Sequence, residues 1–172
     1  KDLVKQFFKQ HTLQGIIHFA ASKAVGESVE KPLLYYRNNL ISLMNILEEM
    51  VDHKIDNLIF SSSCTVYGQA DTLPISESAA IKPAESPYGK TKQIGEEILR
   101  DVAKADKLSV IALRYFNPIG AHESALIGEL PLGVPQNLVP FVTQTAAGIR
   151  KELSVFGDDY PTPDGTAIRD YI

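Results

Sequence analysis

Three short apolar runs, at residues 15–20, 57–62 and 109–115, alternate with two long stretches, 33–53 and 87–105, in which apolar residues recur every three or four positions. That alternation of β-type and helical periodicity constrains the chain to a βαβαβ arrangement, with parallel strands joined by helical crossovers. The fold class expected is α/β, with a Rossmann-type parallel sheet. The 11 glycines nowhere form the G-x-G-x-x-G or G-x-x-G-x-x-G cradle that follows the first strand of a dinucleotide-binding fold. The chain therefore reads as the second half of a doubly wound sheet, with roughly 60 residues, two units of about 30 each, expected before Lys1. In that reading the strand at 15–20 keeps an open edge, and the isolated span is expected to be unstable or sticky, and inactive.

The connections divide the rest of the chain. Segments 68–86 and 117–137 are too long and irregular for simple turns, and such loops in compact domains usually cover a ligand or belong to a second subdomain. The expected organisation is a partial dinucleotide-binding domain at 1–116 and part of a smaller substrate-binding region at 117–172. Within the latter, the pattern predicts a helix over 139–148, a short strand over 153–156 and a turn-rich stretch over 157–165.

The chemistry-bearing residues gather near the second and third strands. Ser61-Ser62-Ser63-Cys64-Thr65-Val66-Tyr67-Gly68 follows the apolar run Asn57-Leu58-Ile59-Phe60, which places small hydroxyl residues at the carboxyl edge of the sheet, where open α/β folds bind ligands. Further on, Ser86-Pro87-Tyr88-Gly89-Lys90-Thr91-Lys92 sets a tyrosine and a lysine four residues apart. If Pro87 opens a helix, phenol and ammonium share one face, and the positive charge favours the phenolate. A free tyrosine, with a pKa of about 10, needs such help to act as a base at neutral pH.

These two segments, together with Leu113-Arg114-Tyr115-Phe116-Asn117-Pro118-Ile119-Gly120-Ala121-His122 and Asp164-Gly165-Thr166-Ala167-Ile168-Arg169-Asp170-Tyr171-Ile172, resemble the motifs of the UDP-glucose 4-epimerase family, a group of extended short-chain dehydrogenases/reductases. The resemblance runs from Ile16 onward. It implies an NAD-dependent isomerase of galactose metabolism that interconverts UDP-galactose and UDP-glucose by oxidation at C4, rotation of the 4-keto sugar and re-reduction. It implies that Tyr88 is the base on the C4 hydroxyl, that Lys92 lowers the tyrosine pKa and binds the nicotinamide ribose, and that Ser63 holds the C4 oxygen.

The same resemblance implies that Phe19, Ala20, Ala21, Ser22 and Lys23 line the NAD, with Asn38, Ser61, Tyr115 and Phe116 contributing. Ala21-Ser22 stands where the family more often has Gly-Leu, and Cys64 where it has Ala. For the nucleotide sugar it implies Asn117, then Asn137 and Leu138 beside the uracil, a strand through Ser154 to Phe156 reading the base by backbone contacts, and Arg169 on the diphosphate. A homodimer is expected for the intact enzyme, with helices 33–53 and 87–105 as its contact faces.

Bulk properties narrow the alternatives. Seventeen basic and 21 acidic residues give a net charge of −4 with no basic block, which argues against nucleic acid or an anionic membrane as partner. The single cysteine, Cys64, forms no intrachain disulfide, and with no signal peptide or spanning segment a cytoplasmic location is expected. His11, His18, His53 and His122 lack ligand spacing, so no metal is expected. A 4,6-dehydratase would need further acid/base groups after the site serine, where Cys64-Thr65 stand. Another nucleotide-sugar 4-epimerase acting on UDP-glucuronate, UDP-N-acetylglucosamine or UDP-xylose, or a non-catalytic NAD-binding protein, would share the fold.

Overall fold

In the computed structural model, residues 1–106, 108–129, 131 and 133–172 are described. The chain divides into two compact units, Lys1–Tyr115 and Phe116–Ile172.

The first unit is built on a three-stranded parallel sheet in the order β1 (Ile16–His18), β2 (Asn57–Ser61), β3 (Ser109–Leu113). The register pairs His18 with Phe60 and Ser61 with Leu113, so the carboxyl ends of all three strands emerge on one edge. The expected α/β class and the order of elements hold, with strands shorter than the apolar runs. Helices α1 (Asp2–Gln10), α2 (Val25–Glu30), α3 (Pro32–His53) and α4 (Pro87–Asp106) complete the unit. Neither α1 nor α2 is anticipated by the sequence reading.

Local chemistry sets the helix limits. Pro32 opens α3, and Lys54 closes it in the left-handed conformation, with its N–H on the carbonyls of Met50 and Val51. Pro87 opens α4, and the Ser86 hydroxyl accepts the Gly89 N–H at 3.2 Å, satisfying an orphan donor of the first turn. Tyr88 thereby occupies the second position of a fixed helix end.

One face of the sheet is covered. Leu58 and Phe60 of β2 join Phe8, Leu43, Leu47, Met50, Ile55, Leu99 and Leu108 in the core. Gly95 allows α4 close to β2, since a Cβ there would lie 3.1 Å from the Phe60 ring. Parallel sheets normally carry helices on both faces. Here Ile17 and Ile111, on the other face, are 62% and 58% exposed, and β1 forms an outer edge of the sheet among the described residues.

The second unit holds α5 (Leu138–Ala146) and an isolated parallel bridge between Asn117 and Tyr171. The strand expected over 153–156 is corrected: these residues adopt no regular structure, and Leu153, Val155 and Phe156 are exposed. Their alternation is β-like, but among the described residues no neighbouring strand pairs with them. The role expected of a Ser154–Phe156 strand therefore has no strand to carry it.

Candidate active site

The site grows from the end of β2. Ser61 closes the strand, Ser62 and Ser63 are buried, and a 3-10 turn, Cys64–Tyr67, follows. Ser63 caps that turn. Its Oγ accepts the Thr65 N–H at 3.2 Å and the Thr65 hydroxyl at 2.9 Å, which commits both lone pairs and leaves the serine proton to be donated.

Facing it, α4 presents Tyr88 and Lys92 one turn apart, as the spacing predicts. Lys92 is 4% exposed, and its Nζ donates to the Ser61 carbonyl at 2.7 Å. The ammonium also lies over two rings, 5.1 Å from the Phe60 centroid and 5.7 Å from that of Tyr88. Burial pushes Lys92 down to about 8. Burial also pushes the Tyr88 phenol above its ordinary value, while the Ser63 hydroxyl pulls it partly back and Cys64 adds to the rise. The sequence reading assigns the lowering to Lys92. In the structure the ammonium is directed to a backbone carbonyl while lying over the Tyr88 ring, and Ser63 is a further neighbour that favours the phenolate. His18, buried and stacked on Phe60 at 6.1 Å, is held below its ordinary value by burial and then by the charge of Lys92.

The loop after β1 sits beside this trio. Phe19 and Tyr115 stack with centroids 6.5 Å apart, making an aromatic pair at the strand ends. Ala20 and Lys23 are exposed, and Ala21 is half-buried. Ser22 is tied down by two residues of α3. Asn38 donates to its hydroxyl at 2.9 Å, and Asn39 both accepts from its N–H at 2.8 Å and donates to its carbonyl at 3.1 Å.

Asn39 is absent from the sequence reading. Its amide also donates to the Thr91 hydroxyl at 3.0 Å, and Thr91 in turn donates to the Tyr88 carbonyl at 2.7 Å. One buried side chain therefore joins the loop lining the site to the helix carrying Tyr88 and Lys92. Asn39→Leu is expected to lower stability by about 2–4 kcal/mol, because it strands buried polar groups in a connected network. A urea midpoint equal to that of the unsubstituted protein would contradict this.

In the second unit, Asn117 donates its side-chain amide to the Asp170 carbonyl at 2.7 Å, and Ile172 N–H returns to the Asn117 carbonyl at 3.1 Å. The structure thus brings Asn117 and the Arg169 segment together. Arg169 is exposed. Asn137 precedes α5 and donates to Glu129 at 3.0 Å, and Leu138 is the exposed first residue of that helix. Phe116 opens this unit and is half-buried, whereas Ser154 and Phe156 are exposed. Among the described residues, no group of three or more His, Cys, Asp or Glu is placed to hold a metal, and no helix is long and apolar enough to cross a membrane.

All 172 residues match the family model described as GDP-mannose 4,6 dehydratase. The chain belongs to the GDP-mannose 4,6 dehydratase family. It is 53% identical over 170 residues to the UDP-glucose 4-epimerase of Mus musculus, an alignment covering 98% of this chain and 49% of that protein. The crystal structure of the Bifidobacterium longum UDP-glucose 4-epimerase, in complex with NAD+ and UDP, superimposes with a TM-score of 0.95 at 51% identity, covering 99% of this chain and 51% of that one. The Stenotrophomonas maltophila epimerase, with bound NAD and formylated UDP-arabinopyranose, gives 0.90 at 48% identity, covering 99% of this chain and 51% of that one. The chain spans about half the length of the relatives it matches.

This member of the GDP-mannose 4,6 dehydratase family therefore has a Rossmann-type sheet, and its resemblance to the epimerases extends over nearly the whole chain. A donating serine, a tyrosine and a buried ammonium at one sheet edge are a set that can move a proton to and from an alcohol oxygen.

Proposed function

We propose that this chain forms part of an NAD-dependent UDP-glucose 4-epimerase of its relatives' length, which interconverts UDP-galactose and UDP-glucose. The observation that carries the proposal is the meeting of Ser63, Tyr88 and Lys92 at the carboxyl edge of the sheet, in a chain about half identical to proteins of that name.

The residues present fit the nicotinamide end of a dinucleotide. Lys92 Nζ has three donors and, among the described residues, spends one on Ser61, leaving two for the hydroxyls of a ribose. Phe19 and Tyr115 offer a flat apolar pair, and Asn38 and Lys23 supply polar groups at the same edge. Bound NAD would supply the oxidising and reducing power at C4.

The chain's own work is with the proton. Tyr88 Oη takes the proton of the C4 hydroxyl and later returns it. Ser63, whose lone pairs are occupied by Thr65, donates to the C4 oxygen and keeps it within reach of the phenol. Lys92, held on the Ser61 carbonyl, keeps a positive charge beside the ring and favours the phenolate. Asn117 and Arg169 would engage the nucleotide sugar, Arg169 through its planar fork on the diphosphate. Asn137 and Leu138 would lie at the uracil. The intact enzyme would be a cytoplasmic homodimer, with α3 and α4 as contact faces.

A 4,6-dehydration is disfavoured despite the family's description. It needs an acid/base pair for C5 and C6, yet the residues after Ser63 are Cys64 and Thr65, and Thr65 is bonded to Ser63 itself. The test is conversion of UDP-galactose to UDP-glucose by the intact protein, with reduction of bound NAD followed by absorbance. Absence of turnover by folded, NAD-loaded protein would refute the reading and direct assay to UDP-glucuronate and UDP-xylose.

A further inference from the structure

Beside Ser63 and Lys92 lies a second, largely buried polar cluster to which the proton-transfer chemistry assigns no part. Arg114, just beyond β3, grips Glu96 of α4 with both prongs, Nε to Oε1 at 2.9 Å and Nη2 to Oε2 at 2.6 Å. The remaining nitrogen, Nη1, donates to the Tyr67 hydroxyl at 3.0 Å, and the guanidinium lies 4.9 Å from the centre of that ring. Ser62 donates to Glu96 Oε1 at 2.5 Å. The cluster therefore joins the end of β2, the 3-10 turn, α4 and the end of β3.

Its location gives it a role. Glu96 is one helical turn beyond Lys92 on α4, and so on the same face. Ser62 lies between Ser61, whose carbonyl holds Lys92, and Ser63, whose hydroxyl pulls the Tyr88 phenol down. Both carboxylate oxygens are bonded, and a bidentate Arg–carboxylate pair fixes direction as well as distance. A buried ion pair is poor evidence of added stability, since apolar residues of similar volume often hold a fold as well.

Resting on the epimerase reading, we propose that Glu96 and Arg114 are positioning residues, which set the spacing of α4 against the strand ends and thereby hold Ser63 and Lys92 in place around Tyr88. Burial alone would raise the Glu96 carboxyl, but hydrogen bonds from Arg114 and Ser62, with the nearby guanidinium charge, hold it below the ordinary carboxylate range, so the pair stays charged at neutral pH.

The test uses the intact, NAD-loaded protein and the double variant Glu96→Met/Arg114→Met, which removes both charges together and strands neither. The variant is expected to keep its thermal midpoint within a few degrees and its NAD content. The Tyr88 phenolate, read by ultraviolet difference against Tyr88→Phe in each background, is expected to titrate at higher pH, because Ser62 no longer fixes Ser63. Turnover of UDP-galactose should fall about 100-fold in kcat, as misplacement on the order of an ångström does, with KM changed far less. A folded double variant with unaltered phenolate titration and kcat would overturn the proposal. If the double variant does not fold, Glu96→Gln, whose single amide oxygen cannot accept from Ser62 and both prongs of Arg114 as the two carboxylate oxygens do, is to show the same shift and loss in smaller measure, and an unchanged Glu96→Gln overturns it too. A shifted phenolate in a protein whose unsubstituted form never turns over UDP-galactose would support the positioning role and refute the epimerase reading alone.

Discussion

Tyr88→Phe in the intact protein is expected to lower UDP-galactose turnover by about 10²- to 10⁴-fold, the range contributed by a positioned general base. The substitution removes one oxygen and leaves the ring under Lys92 in place. The helix end that presents residue 88 is fixed by Pro87 and the Ser86 cap, neither of which depends on the phenol. Fold, thermal midpoint and NAD content should therefore stay near those of the unsubstituted protein. Assay of turnover beside the absorbance of bound NAD separates loss of chemistry from loss of cofactor. Activity within a few-fold of the unsubstituted protein would remove Tyr88 from the base role.

Lys92→Met is expected to move activity and stability in opposite directions. Turnover falls by a similar 10²-fold or more, since the variant loses both the charge beside the phenol and the donors proposed for the ribose. Stability at pH 7 rises. Burial holds Lys92 down to about 8, below its ordinary 10.5, so the folded state carries a penalty for the charged form. The penalty is full below about pH 8, shrinks as pH rises from there toward 10.5, and vanishes above it. The shift corresponds to about 3 kcal/mol, and loss of the bond to Ser61 offsets part of it, leaving a net gain of about 1–2 kcal/mol at neutral pH. Urea midpoints of both proteins at pH 7 and pH 10 test this. A gain present at pH 7 and much reduced at pH 10 is the expected pattern, and a variant less stable than its parent at pH 7 would show that the Ser61 bond outweighs the burial.

What could be read from the sequence was whatever is written locally. The three- and four-residue periodicity of 33–53 marks α3 almost to the residue, and Ser86-Pro87 marks the start of α4, because helix signals act over a single turn. Tyr88 and Lys92 on one face follow from the same spacing. Residues 153–156 mislead because alternation shows that a segment suits a strand but not whether a partner lies beside it. The six residues of α2 are too few for a periodic signal. The supports of the site were hidden for another reason. Asn39 reaches Ser22 and Thr91, and Glu96 reaches Ser62 and Arg114, through contacts made only once the chain has folded. A buried asparagine or glutamate, or a half-buried arginine, has no sequence mark to separate it from a solvated one. The direction of the Lys92 ammonium was likewise undetermined until the Ser61 carbonyl stood in front of it.

Among the described residues, the bonds that Ser62, Ser63, Asn39, Lys92, Glu96 and Arg114 make with one another and with their neighbours close within Lys1–Tyr115, and the Tyr115 carbonyl itself accepts the Cys64 N–H at 2.8 Å. For recombination among relatives, the Tyr115–Phe116 junction is therefore a natural splice point. A crossover there transfers the proton-handling residues and their struts as one inherited block, whereas a crossover inside α4 would join one parent's glutamate to another parent's arginine and serine.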